Sequence, residues 1–164
     1  MTTIEKARCA ELQQQIKLLK KEVEKINPYA YWHEKPNKEF GEKYSETYIL
    51  SRVPNLISNH GAGHDMAGKH YFNIEVKSCR MTFKEKWTMN QMHPDEADAY
   101  LFVWYNCEEG TQEICFIPTD ELLKTCKMSK QHGNGCFTLG STINNRKALE
   151  KYMVSSWEEL NEKV

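Results

Sequence analysis

The chain has 164 residues, 40% of them hydrophobic and 27% charged, with a net charge of −1. That length fits one domain with its own core plus one appended element, and the balanced charge excludes a bulk polycation, so any nucleic-acid contact must come from basic residues gathered on one face. No apolar run approaches the roughly 18 residues of a membrane span, and residues 1–20 are polar with no secretory h-region, so a cytosolic (or nuclear) setting without a membrane partner is expected.

Residues 3–26 read as a helix in which Leu12, Ile16, Leu19, Val23 and Ile26 recur at 4-3-4-3 spacing among Lys, Glu and Gln. The stripe suits either a dimerising coiled coil or docking on the chain's own domain, and it covers barely two heptads, too few for a stable coiled coil alone. Asn27-Pro28 ends the helix, which divides the chain into an N-terminal helix, 1–27, and a domain, 28–164. After an aromatic and proline-rich linker, 28–37, a second helix is expected from Asn37, its N-cap, to Arg52, stopped by Pro54.

A short apolar piece at 55–58 and a Gly-rich loop at 61–68 lead into a strand expected over 69–79. A helix is expected over 82–92, broken by Pro94. The run Ala99-Tyr-Leu-Phe-Val-Trp-Tyr105 suits a buried central strand, and residues 112–117 return as its hairpin partner after Glu108-Glu109-Gly110. Thr119 is the expected cap of a helix over 120–126. A strand over 136–139 and helices over 144–152 and 156–162 close the chain. The order implies an α/β fold with a central mixed sheet flanked by helices. Six cysteines are scattered with no C-x-x-C pair, so reduced and mostly buried thiols are expected rather than a structural zinc site.

The chemistry concentrates in Tyr71-Phe72-Asn73-Ile74-Glu75-Val76-Lys77-Ser78. Strand side chains alternate, so Phe72, Ile74 and Val76 are expected in a core, with Glu75 and Lys77 together on the other face. Charges so placed are costly unless paired or bound to something. Asp65 lies ten residues earlier, at the end of the Gly-rich loop, where a hairpin can bring it beside Glu75. Two adjacent carboxylates repel one another and are held together by a divalent cation, with hard oxygen donors favouring Mg²⁺. Such a cation polarises a phosphoryl oxygen and acidifies a bound water, and Lys77 can orient that water or stabilise developing charge.

Asp65, a nine-residue spacer and Glu75-Val76-Lys77 resemble the D…(D/E)-X-K signature of the PD-(D/E)XK nuclease superfamily, which includes restriction endonucleases. The family order of helix, strand meander, helix, strand matches residues 37–117, about half the chain. The resemblance implies a restriction-endonuclease-like core. It also implies Asp65, Glu75 and Lys77 as catalytic residues, the Val76 carbonyl as a further metal ligand, and an acidic residue on the preceding helix, Glu46 first and Glu42 second. It departs from the signature in having His64 where proline is frequent. A Q-x-x-x-Y motif is absent after Gln91, which argues against the recombination subgroup. Lys69, Arg80, Lys84 and Lys86 are the candidate contacts to DNA phosphates, with Lys124, Lys127 and Lys130 as further basic residues. Trp87 and Trp104 are expected in the core.

The implied activity is Mg²⁺-dependent endonucleolytic cleavage of double-stranded DNA by a homodimer, foremost a type II restriction endonuclease. Homing, repair or junction-cleaving nucleases share the fold, and a non-catalytic nucleic-acid-binding module stands as the alternative from another class. A histidine-based metal nuclease site around His60, Asn90 and His93 is poorly spaced for its task.

Overall fold

The computed structural model describes residues 3–26, 46–59, 64–106, 109–131 and 135–164. In chain order the elements are α1 (Thr3–Ile26), α2 (Glu46–Arg52), β1 (Ile57–Ser58), β2 (Met66–Ala67), β3 (Ile74–Cys79), β4 (Thr88–Met92), β5 (Ala99–Asn106) and β6 (Thr111–Pro118). Then come α3 (Thr119–Thr125), β7 (Met128–Lys130), β8 (Phe137–Gly140), α4 (Ile143–Leu149), a 3₁₀ turn (Glu150–Tyr152), β9 (Met153–Val154) and α5 (Trp157–Lys163).

The fold is mixed α/β. A six-stranded mixed sheet runs in the order β1-β2-β3-β5-β6-β9, and a smaller sheet in the order β4-β8-β7. β1, β2 and β3 form an antiparallel meander. β3 then lies parallel to β5, from Ile74↔Ala99 to Cys79↔Trp104. β5 turns back into β6 along its whole length. The apolar run of β5 is central because both its faces are covered. Leu101, Val103 and Tyr105 join Ile74, Val76, Ile114 and Phe116 in one cluster, closed by Ile49 and Val53 near α2 and by Leu160 and Val164 near α5. Tyr100, Phe102 and Trp104 join Phe83, Trp87, Met89, Met92, Leu122, Leu139 and Leu149 in the other. At roughly 25 cal/mol per Å² of apolar surface, burying both faces of such a strand is the main favourable term that holds the sheet together.

α1 is continuous as expected, with Glu5 in its first turn and Lys25 in its last, signs that complement the helix dipole. Its described side chains are all exposed, including Leu12, Ile16, Leu19 and Val23. Docking of that stripe on the rest of the described chain is therefore not observed. No described helix is long and apolar enough to cross a membrane. The expected linker over 28–37 and the first part of the second helix, 37–45, lie outside the described residues.

Several elements depart from expectation for identifiable reasons. Residues 88–92 form a strand rather than the end of a helix. Gln91 has a positive φ of 53° and the β4–β8 register shifts between Met89 and Met92, so the two buried methionines sit three apart and imitate helical spacing. The strand expected from residue 69 begins only at Ile74, because a turn intervenes in which Gly68 donates to the Tyr71 carbonyl. Phe72, expected in the core, is 75% exposed. Thr119 does not cap α3. Pro118 occupies the N-cap position, and the buried Thr119 hydroxyl donates to the Ala97 carbonyl at 2.6 Å. Trp87 and Trp104 are buried in the core as expected. Among the described cysteines none is in a disulfide, Cys115, Cys126 and Cys136 are buried, and Cys107 lies outside the described residues.

Candidate functional site

The meander positions the candidate carboxylates. Met66 pairs with Ile74, which leaves Asp65 just ahead of β2, next to the part of β3 that carries Glu75 and Val76. The Asp65 carboxylate accepts a hydrogen bond from the Val76 backbone N–H at 2.8 Å. A strand residue presents its N–H and C=O to the same side. The Val76 carbonyl therefore faces the Asp65 edge, away from β5, whereas the Asn73 carbonyl faces β5 and accepts from Asp98 and Ala99.

Ile74 and Val76 are buried in the aliphatic cluster, so Glu75 and Lys77 fall on the opposite face. There Lys77 Nζ donates to Glu75 Oε1, and the two side chains are only 18% and 19% exposed. Sheltered charges at that depth are tolerable because each is compensated. Glu75 has its ammonium, and Asp65 has a backbone N–H. Glu75 and Lys77 stand beside Tyr100 and Phe102 in the parallel register. Burial pushes the Tyr100 phenol well above its usual range, and the Glu75 carboxylate adds to the effect.

Asp98 sets where β3 starts. Its Oδ2 accepts from the backbone N–H of Phe72 at 3.1 Å and of Asn73 at 3.0 Å. The Asp98 N–H in turn donates to the Asn73 carbonyl at 2.8 Å, and Asn59 Nδ2 donates to the Phe72 carbonyl at 2.7 Å. The first residues of the expected strand are thus held by side chains instead of by a ladder, which is why Phe72 escapes the alternation.

The hard oxygens offered by this stretch are the carboxylates of Asp65 and Glu75 and the Val76 carbonyl, the donor type that Mg²⁺ takes while keeping several waters of its own. Among the described residues no group of three or more His, Cys, Asp or Glu side chains gathers to hold a metal. Glu46 begins α2, but its side chain lies outside the described residues, as does Glu42.

The expected phosphate contacts divide. Lys69 is exposed in the turn before β3 and Arg80 is half-buried just after it. Lys84 and Lys86 are exposed and line a cleft of about 540 Å³ with Trp87, Ser141, Thr142 and Arg146. Arg146 donates to the Lys84 carbonyl, so a third cation joins that cleft from α4, a proximity with no signal in the local sequence. Lys124 is engaged by Asp120 and Glu121, both at 2.9 Å, and is not an open phosphate contact. The histidine-based alternative is not assembled among the described residues. His93 Nε2 lies 3.2 Å from Cys136 Sγ, Asn90 accepts from Thr138, and His60 lies outside the described residues. Asp98 and Tyr100 were not singled out from the sequence. The acidic residue just ahead of the apolar run was the available signal for Asp98.

No protein-family model matches the chain, and no curated protein matches it.

Proposed function

We propose that the chain is a Mg²⁺-dependent DNA endonuclease with a restriction-endonuclease-like core, foremost a type II restriction endonuclease acting on double-stranded DNA as a homodimer. The observation that carries this reading is the shared edge of β2 and β3. Asp65 lies just ahead of β2 and accepts from the Val76 N–H, and Lys77 sits on the Glu75 carboxylate beside it in β3. The order α2, antiparallel meander, crossover, parallel β5 supports it, although the crossover carries β4 rather than a helix.

Asp65, Glu75 and the Val76 carbonyl would hold the cation, which supplies charge neutralisation at a phosphodiester and acidifies a water. Lys77 then has a role of its own. With Glu75 holding a cation, the Lys77 ammonium would be free of its internal pair and could balance negative charge on a phosphate. Asp98 acts as a positioning residue that keeps β3 in phase. Homing, repair or junction-cleaving activity uses the same groups. A non-catalytic nucleic-acid-binding module is the second reading. It is favoured by the ion pair of Glu75 with Lys77, which satisfies both charges with no metal.

The deciding experiment incubates the full chain with supercoiled and linear DNA in Mg²⁺, with and without EDTA, alongside Lys77→Ala and Asp65→Asn. Metal-dependent cutting is expected in the wild type. Lys77→Ala should lower the rate by about 10²–10³ while DNA retention on a gel persists. Cutting that survives EDTA, or a Lys77→Ala variant near the wild-type rate, overturns the reading. DNA binding with no cutting selects the binding module.

A further inference from the structure

α1 is a helix of 24 residues whose described side chains are all exposed, and Leu12, Ile16, Leu19, Val23 and Ile26 form one seam along it, with Leu18 outside the seam. We infer that this seam joins two copies of the chain as a parallel, in-register two-stranded coiled coil, with Cys9 facing Cys9 of the second copy across the axis.

Heptad phase follows from the 4-3-4-3 spacing. Cys9, Ile16 and Val23 take the first core position of each heptad, and Leu12, Leu19 and Ile26 the second. β-Branched residues at the first core position with leucine at the second favour two parallel strands over higher orders. Ile16 and Val23 against Leu12 and Leu19 follow that rule. These side chains are 52%, 46%, 43% and 64% exposed, so the seam is available without rearranging the domain.

The flanking charges fit a second copy. Beside the seam lie Arg8, Gln13, Gln15, Lys20 and Glu22. In the parallel arrangement Arg8 faces Gln13 of the other copy and Gln15 faces Lys20, so these flanking charges meet amides, and the one like-charge layer is Glu5, at the second core position one heptad before Leu12, which marks the start of the seam. The ion pairs Arg8–Glu11 (2.7 Å) and Glu22–Lys25 (2.8 Å) lie within one helix and run toward its outer face.

The seam is short, so the dimer should be reversible and depend on concentration. Its evidence is separate from the nuclease reading, which supplies only a use for it. Two copies place one site on each strand of a duplex.

Cys9 also distinguishes the two possible directions. In a parallel pair the Cys9 residues are neighbours. In an antiparallel pair aligned on the same seam, Cys9 meets Ile26 and the two thiols stand about 25 Å apart at 1.5 Å per residue.

The test oxidises the full chain gently with diamide and reads the product on a non-reducing gel, beside sedimentation equilibrium under reducing conditions. The inference expects a concentration-dependent dimer and a covalent dimer in the wild type. The covalent band should vanish in Cys9→Ser. It should also vanish in Ile16→Asp/Leu19→Asp, which keeps Cys9 and, because both side chains are exposed, keeps the melting temperature of the domain. A chain that is monomeric and not cross-linked overturns the inference. So does a dimer that Cys9 does not cross-link, or a Cys9 cross-link that survives Ile16→Asp/Leu19→Asp. None of these outcomes depends on DNA cleavage, so loss of the dimer and loss of the nuclease reading are told apart.

Discussion

The two faces of β5 are packed by different means. One face is largely aliphatic, with Leu101 and Val103 against Ile74, Val76 and Ile114, and is closed around α2 and α5. The other is aromatic and sulfur-rich, with Tyr100, Phe102 and Trp104 against Phe83, Trp87, Met89 and Met92. Some of its rings meet edge to face or tilted, Phe83 with Trp104 at 4.8 Å between centroids and Trp87 with Trp104 at 5.1 Å, and others stack, Tyr100 with Phe102 at 5.6 Å. Glu75 and Lys77 belong to this second face. Both faces carry a buried ring hydroxyl, Tyr105 on the aliphatic side and Tyr100 on the aromatic side, and the charged pair shares the aromatic side with the buried indoles of Trp87 and Trp104.

The sharpest way to probe that contrast is to cut into each face. Trp104→Ala should cost about 3–5 kcal/mol and Leu101→Ala about 2–5 kcal/mol in urea denaturation. The faces should separate in a gentler pair. The buried Trp104 indole N–H has no hydrogen-bond partner among the described residues. Trp104→Phe keeps one ring of the packing and removes the unpaired donor, so it should cost clearly less than Trp104→Ala. Equal losses would show that a phenyl ring recovers none of the packing at this position.

A smaller effect is expected at the seam of the aliphatic face with the β2–β3 turn. A Cβ on Gly68 would come within 2.8 Å of the Val164 carbonyl carbon. Gly68→Ala should therefore lower stability by about 1–3 kcal/mol as the end of α5 is pushed away. An unchanged melting temperature would show that Val164 moves freely and is not part of this face.

The smallest effect concerns acid. Glu159 accepts from Lys163 at 2.8 Å and from the Ser155 N–H and hydroxyl, and these contacts, Lys163 first, hold its carboxyl down to about 2. Its folded pKa lies below its unfolded one, so the contribution is present above the ordinary value of 4.5 and fades as pH falls toward about 2. Glu159→Gln should remove that slope from the melting-temperature profile and shift it only slightly at neutral pH, since its half-buried carboxylate is still reached and screened by solvent. A mutant profile parallel to the wild type below pH 4.5 would remove Glu159 from the account.

Much of this architecture was legible because burial wrote it directly into the chain. β5 is an unbroken apolar run, and alternation in Ile74-Glu75-Val76-Lys77 places charges and core on opposite faces. What escaped was set by contacts between distant residues. The Asp98 carboxylate displaces the start of β3, and the positive φ at Gln91 turns a strand's period of two into a spacing of three. At the candidate site the order of Asp65, Glu75 and Lys77 was readable, and so was a Glu75–Lys77 pair as the alternative to a bound cation, because alternation puts both on one face; the pair is what the fold shows.

One contact has a consequence for the order in which the molecule is made. The His70 N–H donates to the Val164 carbonyl at 3.1 Å, within the turn that joins β2 to β3. These partners are separated by more than half the chain. On the ribosome, Asp65 and Glu75 emerge long before Val164. The turn can close locally through Gly68 and Tyr71, but the bond that ties it to Val164 forms only once that residue arrives, and so belongs to the slow, non-local end of folding.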